Sequence, residues 1–110
     1  MELATDLWVS ALLRRASLGG GFPVIARRGD ATAGAVLVKI VDTRARTARL
    51  YAERVDPDGG RRWMQPHPGA AEPDLDTYAE RQVRIDPDLW VVEIEDPHGR
   101  HFLTEAVDDG

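Results

Sequence analysis

The spacing of apolar residues along the chain predicts two helices. Apolar positions with helical spacing run from Leu7 to Ala16, and Thr5 or Asp6 is expected as the N-cap. These positions cover more than half of the helix circumference, which indicates a helix that is covered on two sides or that meets another subunit. A second helix over 73–85 begins with Pro73 and acidic residues and carries a narrower apolar stripe.

Alternating apolar residues predict strands over 24–28, 35–41, 47–55, 89–96 and 100–107, and a further strand that contains Trp63 and Met64. The first two strands are expected to form a hairpin across the loop GDATAG. The strand over 35–41 has apolar residues on both faces, so it is expected at the centre of the sheet.

Two turns with the same pattern predict the register of the strands that they join. DPDG at Asp56–Gly59 and DPHG at Asp96–Gly99 have the residues that a type I turn favours at its first, second and fourth positions. Each turn should close a short hairpin. We expect these opposing pairs: Ala52 and Met64, Glu53 and Trp63, Ile94 and Phe102, Glu95 and His101.

The resulting order α-β-β-β-β-α-β-β, connected by hairpins, predicts the fold class. We expect an α+β fold with an antiparallel sheet of five to six strands and two helices mainly on one face. A chain of 110 residues with 43% hydrophobic residues indicates a single domain over 1–110.

Composition and charge bound the function classes. The chain contains no cysteine, which excludes disulfides and thiolate chemistry, and it has no apolar run long enough to span a bilayer. The acidic start before the first apolar residues is unlike a signal peptide, so a cytoplasmic location is expected. The net charge of −5 divides unevenly, with +4 on residues 1–55 and −9 on residues 56–110. We interpret this division as two halves that pair with each other in one fold, and the alternative is a basic edge that meets an anionic partner.

Two blocks of sequence, ARRGDATAGAVLVKI and DPDLWVVEIEDPHGRHFL, together with the initial LWVSALLRR helix, resemble a family of short bacterial proteins. The family is catalogued as domain of unknown function 1491. The resemblance covers nearly the whole chain. It implies no activity, substrate or catalytic residue, because none is assigned to the family.

Four residues are candidates for binding a small ligand. Arg27 or Arg28 could grip a carboxylate or a phosphate, with Asp30 in the same loop. The alternative is a loop in which Asp30 bonds to the local backbone and the arginines are solvated. Lys39 is alone on an apolar strand and could act as an amine nucleophile or base if burial lowers its pKa, or it could pair with a glutamate.

Other chemistry has weaker support in the sequence. Glu95 and His101 are candidate metal ligands if they oppose each other across the DPHG turn, but no third ligand is evident. An enzyme or an anion- or metal-binding protein that uses Arg28, Glu95 and His101 is therefore the alternative function, and we expect no cofactor. Nucleic acid is an unlikely partner because the protein is acidic, despite three nearby arginines at 44, 46 and 49.

An interaction role is the leading hypothesis. If both helices cover one face of the sheet, the other face exposes large apolar and aromatic residues. The candidate interface residues are Trp8, Tyr51, Trp63 and Val91. We expect a homodimer with an interaction or regulatory role and no membrane partner, and another protein is the alternative partner. We expect Trp63→Glu to yield a folded monomer.

Overall fold

The computed structural model describes residues 3–55, 57 and 60–108, which form two helices and a six-stranded sheet. The strands lie in the order β1-β5-β2-β3-β4-β6. The turn expected at Asp56–Gly59 lies largely outside the described residues. The elements are α1 (Thr5–Leu18), β1 (Phe22–Arg27), β2 (Val36–Asp42), β3 (Thr47–Val55), β4 (Arg61–Met64), α2 (Glu72–Ile85), β5 (Trp90–Asp96) and β6 (Ala106–Val107).

The sheet is mixed, so the prediction of an antiparallel sheet is only partly right. β2 runs parallel to β5, from the pair Val36–Trp90 to the pair Asp42–Asp96, and β4 runs parallel to β6. β5 lies between β1 and β2, and the predicted hairpin of these two strands is therefore wrong. The physical reason is burial: β2 carries buried apolar residues on both faces and therefore lies at the centre of the sheet, and β5 beside it buries Trp90, Val92 and Ile94 on one face.

The two helices pack on opposite faces of the sheet, and the prediction that they share a face is wrong. Residues of α1 pack with Val36, Val38 and Ile40 of β2 in one core cluster. Leu75 of α2 packs with Leu37 in a second cluster. Because successive strand residues point to opposite faces, a strand that is apolar on both faces needs a cover on each side. The molecule therefore has three layers.

The first backbone N–H groups of α1 find their hydrogen-bond acceptors in a loop rather than in a capping side chain. The helix begins at Thr5, with Ala4 at the N-cap position and no side-chain cap, so the predicted caps are wrong. The backbone N–H groups of Thr5 and Asp6 donate to the carbonyls of Thr32 and Ala31. The buried Thr5 hydroxyl donates to the Gly34 carbonyl at 2.8 Å. The loop between β1 and β2 thus supplies the acceptors that a capping residue normally supplies.

The register of β3 and β4 is as predicted, with Ala52 opposite Met64 and Glu53 opposite Trp63. The predicted strand over 100–107 is wrong, because β6 has two residues and pairs with β4 instead of β5. Phe102 has a φ of 61°, which turns the chain away from β5.

Candidate functional site

A groove with a volume of about 880 Å³ lies between α2 and β1 on the α2 face of the sheet. Side chains of the central strands form its floor, and α2 and β1 form its two walls. The floor residues are Lys39, Leu50, Val91 and Glu93. The wall residues are Asp76, Ala79, Glu80, Val83 and Arg84 from α2, and Ala26 and Arg27 from β1.

An irregularity in β1 places Arg27 on this groove. Pairing of β1 with β5 is regular up to Ile25 and Val92, and a register shift follows, so that Arg27 pairs with Val91. A β-bulge of this kind changes which face of the sheet the next side chain occupies. Arg27 therefore shares a face with Val91, beneath the side of α2.

Lys39 is the most buried charged group of the groove floor, with 6% of its surface exposed. Its Nζ lies 2.6 Å from Glu72 Oε2, 2.7 Å from Asp76 Oδ1 and 3.9 Å from Glu93 Oε1. Burial by itself would lower the pKa of Lys39, but the hydrogen bonds to Asp76 and Glu72 outweigh it and raise the pKa above 10.5. Lys39 is therefore protonated at neutral pH, which argues against an amine nucleophile and favours the predicted pairing with carboxylates.

The three other predicted ligand residues, Arg27, Arg28 and Asp30, each have a separate contact. Arg27 donates from Nη2 to the Pro87 carbonyl at 3.1 Å. The Arg28 guanidinium lies 5.1 Å from the centre of the Trp90 ring, a cation–π distance. The Asp30 carboxylate accepts hydrogen bonds from two backbone N–H groups of its own loop. The structure thus brings Arg27 and Lys39 to one groove and gives Arg28 and Asp30 structural contacts of their own.

Glycine at position 29 allows a close approach of two backbone segments. A Cβ atom on Gly29 would collide with the carbonyl oxygen of Asp88, and the N–H of Asp30 donates to that same carbonyl at 2.9 Å. The group that comes close is another part of the chain.

The outer edge of β1 adjoins the groove and is apolar. Phe22, Val24 and Ile25 are 77%, 54% and 38% exposed. Sequence reasoning missed this edge because it placed β1 in a hairpin with β2. The signal was present in Pro23, since proline within a sheet is confined to edge strands, strand starts and bulges.

The predicted interface residues are not on an open face. Trp8, Tyr51 and Trp63 are 5%, 3% and 0% exposed, in the core beneath α1. Val91 is partly buried and packs in the cluster on the α2 side. The prediction that Tyr51, Trp63 and Val91 lie on an uncovered face of the sheet is therefore wrong, because the helices cover both faces. Trp8 of α1 is buried in the same core as Tyr51 and Trp63. A charge at Trp63 would enter the core, where an unpaired charge is strongly destabilising.

Glu95 and His101 do not oppose each other as predicted. Glu95 is exposed on β5, on the same face as Glu93, which faces α2. His101 contacts the Tyr51 ring on the α1 side, and its Nδ1 accepts the Leu103 N–H at 2.9 Å. Burial, followed by the nearby charge of Arg49, lowers the pKa of His101 below 6.5. The described ranges contain no group of three or more His, Cys, Asp or Glu residues that could hold a metal ion.

A carboxylate that the sequence did not single out lies at the centre of the α1 side. Glu105 accepts hydrogen bonds from the indole N–H groups of Trp8 and Trp63 at 2.8 and 3.1 Å. Burial alone would raise the pKa of Glu105, but the two indole donors outweigh it and lower the pKa below 4.5. No spacing rule connects these three positions, so local sequence could not reveal the site.

The geometry defines a three-layer α+β protein with a mixed sheet, a groove on its α2 face and an apolar edge strand. Within the described part of the chain, no helix is long and apolar enough to cross a membrane. The model of a family described as "Protein of unknown function (DUF1491)" matches residues 3–104. The chain belongs to this family.

Solved structures support this assignment. The crystal structure of a DUF1491 family protein from Caulobacter crescentus CB15 is 65% identical, covers 97% of this chain and 100% of its own, and superposes with a TM-score of 0.93. An NMR structure of a DUF1491 family protein from the same organism is 65% identical over 99% of both chains, also with a TM-score of 0.93.

A more distant structure has the same fold. The solution structure of protein Atu0922 from A. tumefaciens is 31% identical, covers 99% of this chain and 98% of its own, and has a TM-score of 0.79. No curated protein matches the chain.

Proposed function

We propose that the protein is a small cytoplasmic interaction module that forms a homodimer through the outer edge of β1. The observation that carries this proposal is the exposure of three large apolar side chains on an edge strand, Phe22, Val24 and Ile25. An edge strand has backbone N–H and C=O groups that can pair with another strand, and an exposed apolar edge favours such pairing.

The two edges of the sheet differ in a way that favours this interpretation. β6 forms the opposite edge and has two residues, which is too short to offer a useful strand for pairing. β1 has six residues, FPVIAR, and its single charge is at the end. Edges that avoid association are short, carry charged residues along their length, or are interrupted by proline or a β-bulge. β1 is neither short nor charged along its length, and Pro23 and the bulge after Ile25 limit its backbone pairing rather than cover its apolar side chains.

A second copy of the chain suits this edge. Antiparallel pairing of β1 with β1 about a two-fold axis is isologous, so the Arg27 end of one strand meets the Phe22 end of the other. Glu95, which is exposed and lies opposite Phe22 on β5, is then roughly 10 Å from that Arg27 across two strand spacings. The opposite charges attract at this separation without a direct ion pair, while the Arg27 side chain stays bonded to the Pro87 carbonyl.

Apolar surface continues at the same end of the strand. Arg27 bonds to the carbonyl of Pro87, and Ile85, two residues before Pro87, is 71% exposed. In the two-fold arrangement the exposed Phe22 ring of one copy therefore approaches the Ile85 region of the other. Pro23 cannot donate a backbone hydrogen bond, so burial of these side chains supplies most of the association free energy.

Sedimentation equilibrium over a wide range of protein concentration tests the proposal. The wild type should be a dimer, and Val24→Lys should weaken the dimer at least about tenfold, because the interface would bury an ammonium group. Leu7→Lys is the matched control, since Leu7 is 56% exposed on α1, outside β1. It should leave the dimer intact.

At concentrations where the wild type is monomeric, both variants should unfold at the wild-type temperature, because both replace exposed side chains. A wild type that stays monomeric at every concentration overturns the proposal. A dimer that Leu7→Lys disrupts and Val24→Lys leaves intact overturns it as well, and places the interface on α1.

A further inference from the structure

We propose that the groove between α2 and β1 binds a small amphiphilic oxyanion, a carboxylate or phosphate on an apolar body. The anionic group lies at the arginine end of the groove, and the apolar body lies along the floor. This inference does not depend on self-association, because the groove opens on the face of the sheet rather than at its edge.

The apolar part of the groove suits a hydrocarbon body. Ala79 and Val83 are one helical turn apart on the side of α2 that faces the sheet, and Leu50 and Val91 lie on the floor. All four belong to the apolar cluster on this side or pack against it. The volume of about 880 Å³ is within the range of roughly 300–1,000 Å³ that is common for ligand pockets.

Two arginines, one on each wall, supply the positive end. Arg27 lies on β1 and Arg84 on the last turn of α2. Among the described residues, no carboxylate lies within ion-pair distance of either guanidinium. The Arg27 Nε is buried without a hydrogen-bond partner. A carboxylate or phosphate fits a guanidinium through charge-assisted hydrogen bonds. Because Arg27 already donates from Nη2 to the Pro87 carbonyl, its remaining N–H groups would hold the oxyanion together with Arg84.

The acidic residues of the groove balance its basic residues in number, but two of the three lie at the Lys39 end. Asp76 and Glu93 face Lys39, whose ammonium lies 2.7 and 3.9 Å from them. Glu80 is one turn before Arg84, but the two side chains form no ion pair in the described chain. The groove therefore has a negative end at Lys39, where three carboxylates share one ammonium, and a positive end at the two arginines, and this difference gives a bound amphiphile a defined orientation.

Titration with octanoate, followed by amide chemical shifts, tests the inference. We expect saturable shifts at Ala26, Val83 and Val91. Octanol has the same tail without the charge, and inorganic phosphate has charge without a tail, and both should bind more weakly than octanoate. Arg27→Gln and Arg84→Gln should each weaken octanoate binding about tenfold, the effect of losing one charge-assisted hydrogen bond.

Arg14→Gln is the matched control, because Arg14 is exposed on α1, which packs on the other face. It should leave octanoate binding unchanged. Ile25→Lys should weaken the dimer and still bind octanoate normally, because Ile25 pairs with Val92 on the face of the sheet opposite the groove. Loss of the dimer and loss of the site are then separate results.

Three results would overturn the inference. The first is the absence of saturable shifts in the groove. The second is equal affinity for octanol and octanoate, which would show an apolar surface without an anion site. The third is binding that Arg27→Gln and Arg84→Gln leave unchanged while both variants remain folded.

Discussion

Trp8 stacks on Trp63, with ring centres 5.3 Å apart and an angle of 26° between the ring planes. The contact joins α1 to β4. Glu105, in the chain segment that precedes β6, accepts hydrogen bonds from both indole N–H groups. The Arg61 guanidinium lies 5.1 Å from the centre of the Trp8 ring. These contacts hold three distant segments of the chain in one cluster, so the apolar residue Trp8 needs no second subunit to cover it.

Glu105→Gln should destabilise the fold by about 1–3 kcal/mol. Each carboxylate oxygen accepts one indole N–H, whereas an amide has a single oxygen, so one tryptophan would face an N–H₂ donor. Urea unfolding measures the loss, and the indole N–H chemical shifts report which bond is broken. Glu95→Gln, on an exposed residue, is the control and should change the free energy of unfolding by less than about 0.5 kcal/mol. Equal effects of the two variants would contradict the assigned role of Glu105.

Lys39→Met should destabilise the protein by about 1–2 kcal/mol, because Glu72, Asp76 and Glu93 would lose their shared counter-charge. Glu72 and Asp76 are about half exposed, so water limits the cost. Adding Glu72→Gln and Asp76→Asn to Lys39→Met should restore part of the loss in a urea-unfolding cycle. If the effects of the substitutions on the free energy of unfolding are simply additive, Lys39 does not interact with these carboxylates.

The same site has a pH dependence with a definite sign. The folded-state pKa of Lys39 is above its ordinary value of 10.5, so its stabilising contribution is present below pH 10.5 and is lost at higher pH, as the pH passes the folded-state value. Between pH 10.5 and the folded-state pKa of Lys39, the free energy of unfolding should therefore fall less for Lys39→Met than for the wild type.

Asp96→Asn should destabilise the protein at neutral pH and much less in acid. Asp96 is fully buried, and its carboxylate binds the Arg100 side chain at 2.8 and 3.0 Å, which lowers the pKa of Asp96 from 3.8 to about 2. Because the pKa of Asp96 is lower in the folded state than in the unfolded state, its carboxylate stabilises the fold at pH values above the unfolded-state pKa. This contribution is lost as the pH falls from about 4 to 2.

Thermal unfolding of wild type and Asp96→Asn between neutral pH and about pH 2 measures this difference. The gap between their melting temperatures should narrow in acid. A gap that stays constant across this range would show that the charge of Asp96 is not the stabilising feature. Asp74→Asn, on an exposed first-turn residue of α2, serves as the control.

Much of the local structure followed from the sequence by itself. The apolar spacing predicted both helices, with the second correct to within a residue, and the alternation over 47–55 predicted β3. The turn chemistry predicted the register of β3 with β4. These features depend on residues that are close together in the chain, and their patterns are governed by backbone geometry and one-sided burial.

The tertiary structure decided the arrangement of these elements. An apolar strand such as β1 has the same alternation whether its neighbour is β2 or β5, so the pattern could not exclude the hairpin that the structure contradicts. The helical patterns likewise could not determine which face of the sheet each helix covers, because an apolar stripe is the same on either face. β2 is apolar on both faces, and this feature alone required two covers, although the prediction did not use it.

For the candidate sites, too, the sequence indicated single residues, and only the fold showed which residues meet. The sequence identified Lys39 and Arg27 as unusual, but only the fold brings Glu72 and Asp76, more than thirty positions away, to Lys39 and sets Arg27 and Arg84 on two walls of one groove. Glu105, Trp8 and Trp63 form one cluster across almost the whole length of the chain. Local patterns determine which side chains point in the same direction. Which segments then meet depends on how the two apolar faces of the sheet are covered, and that is a property of the complete fold.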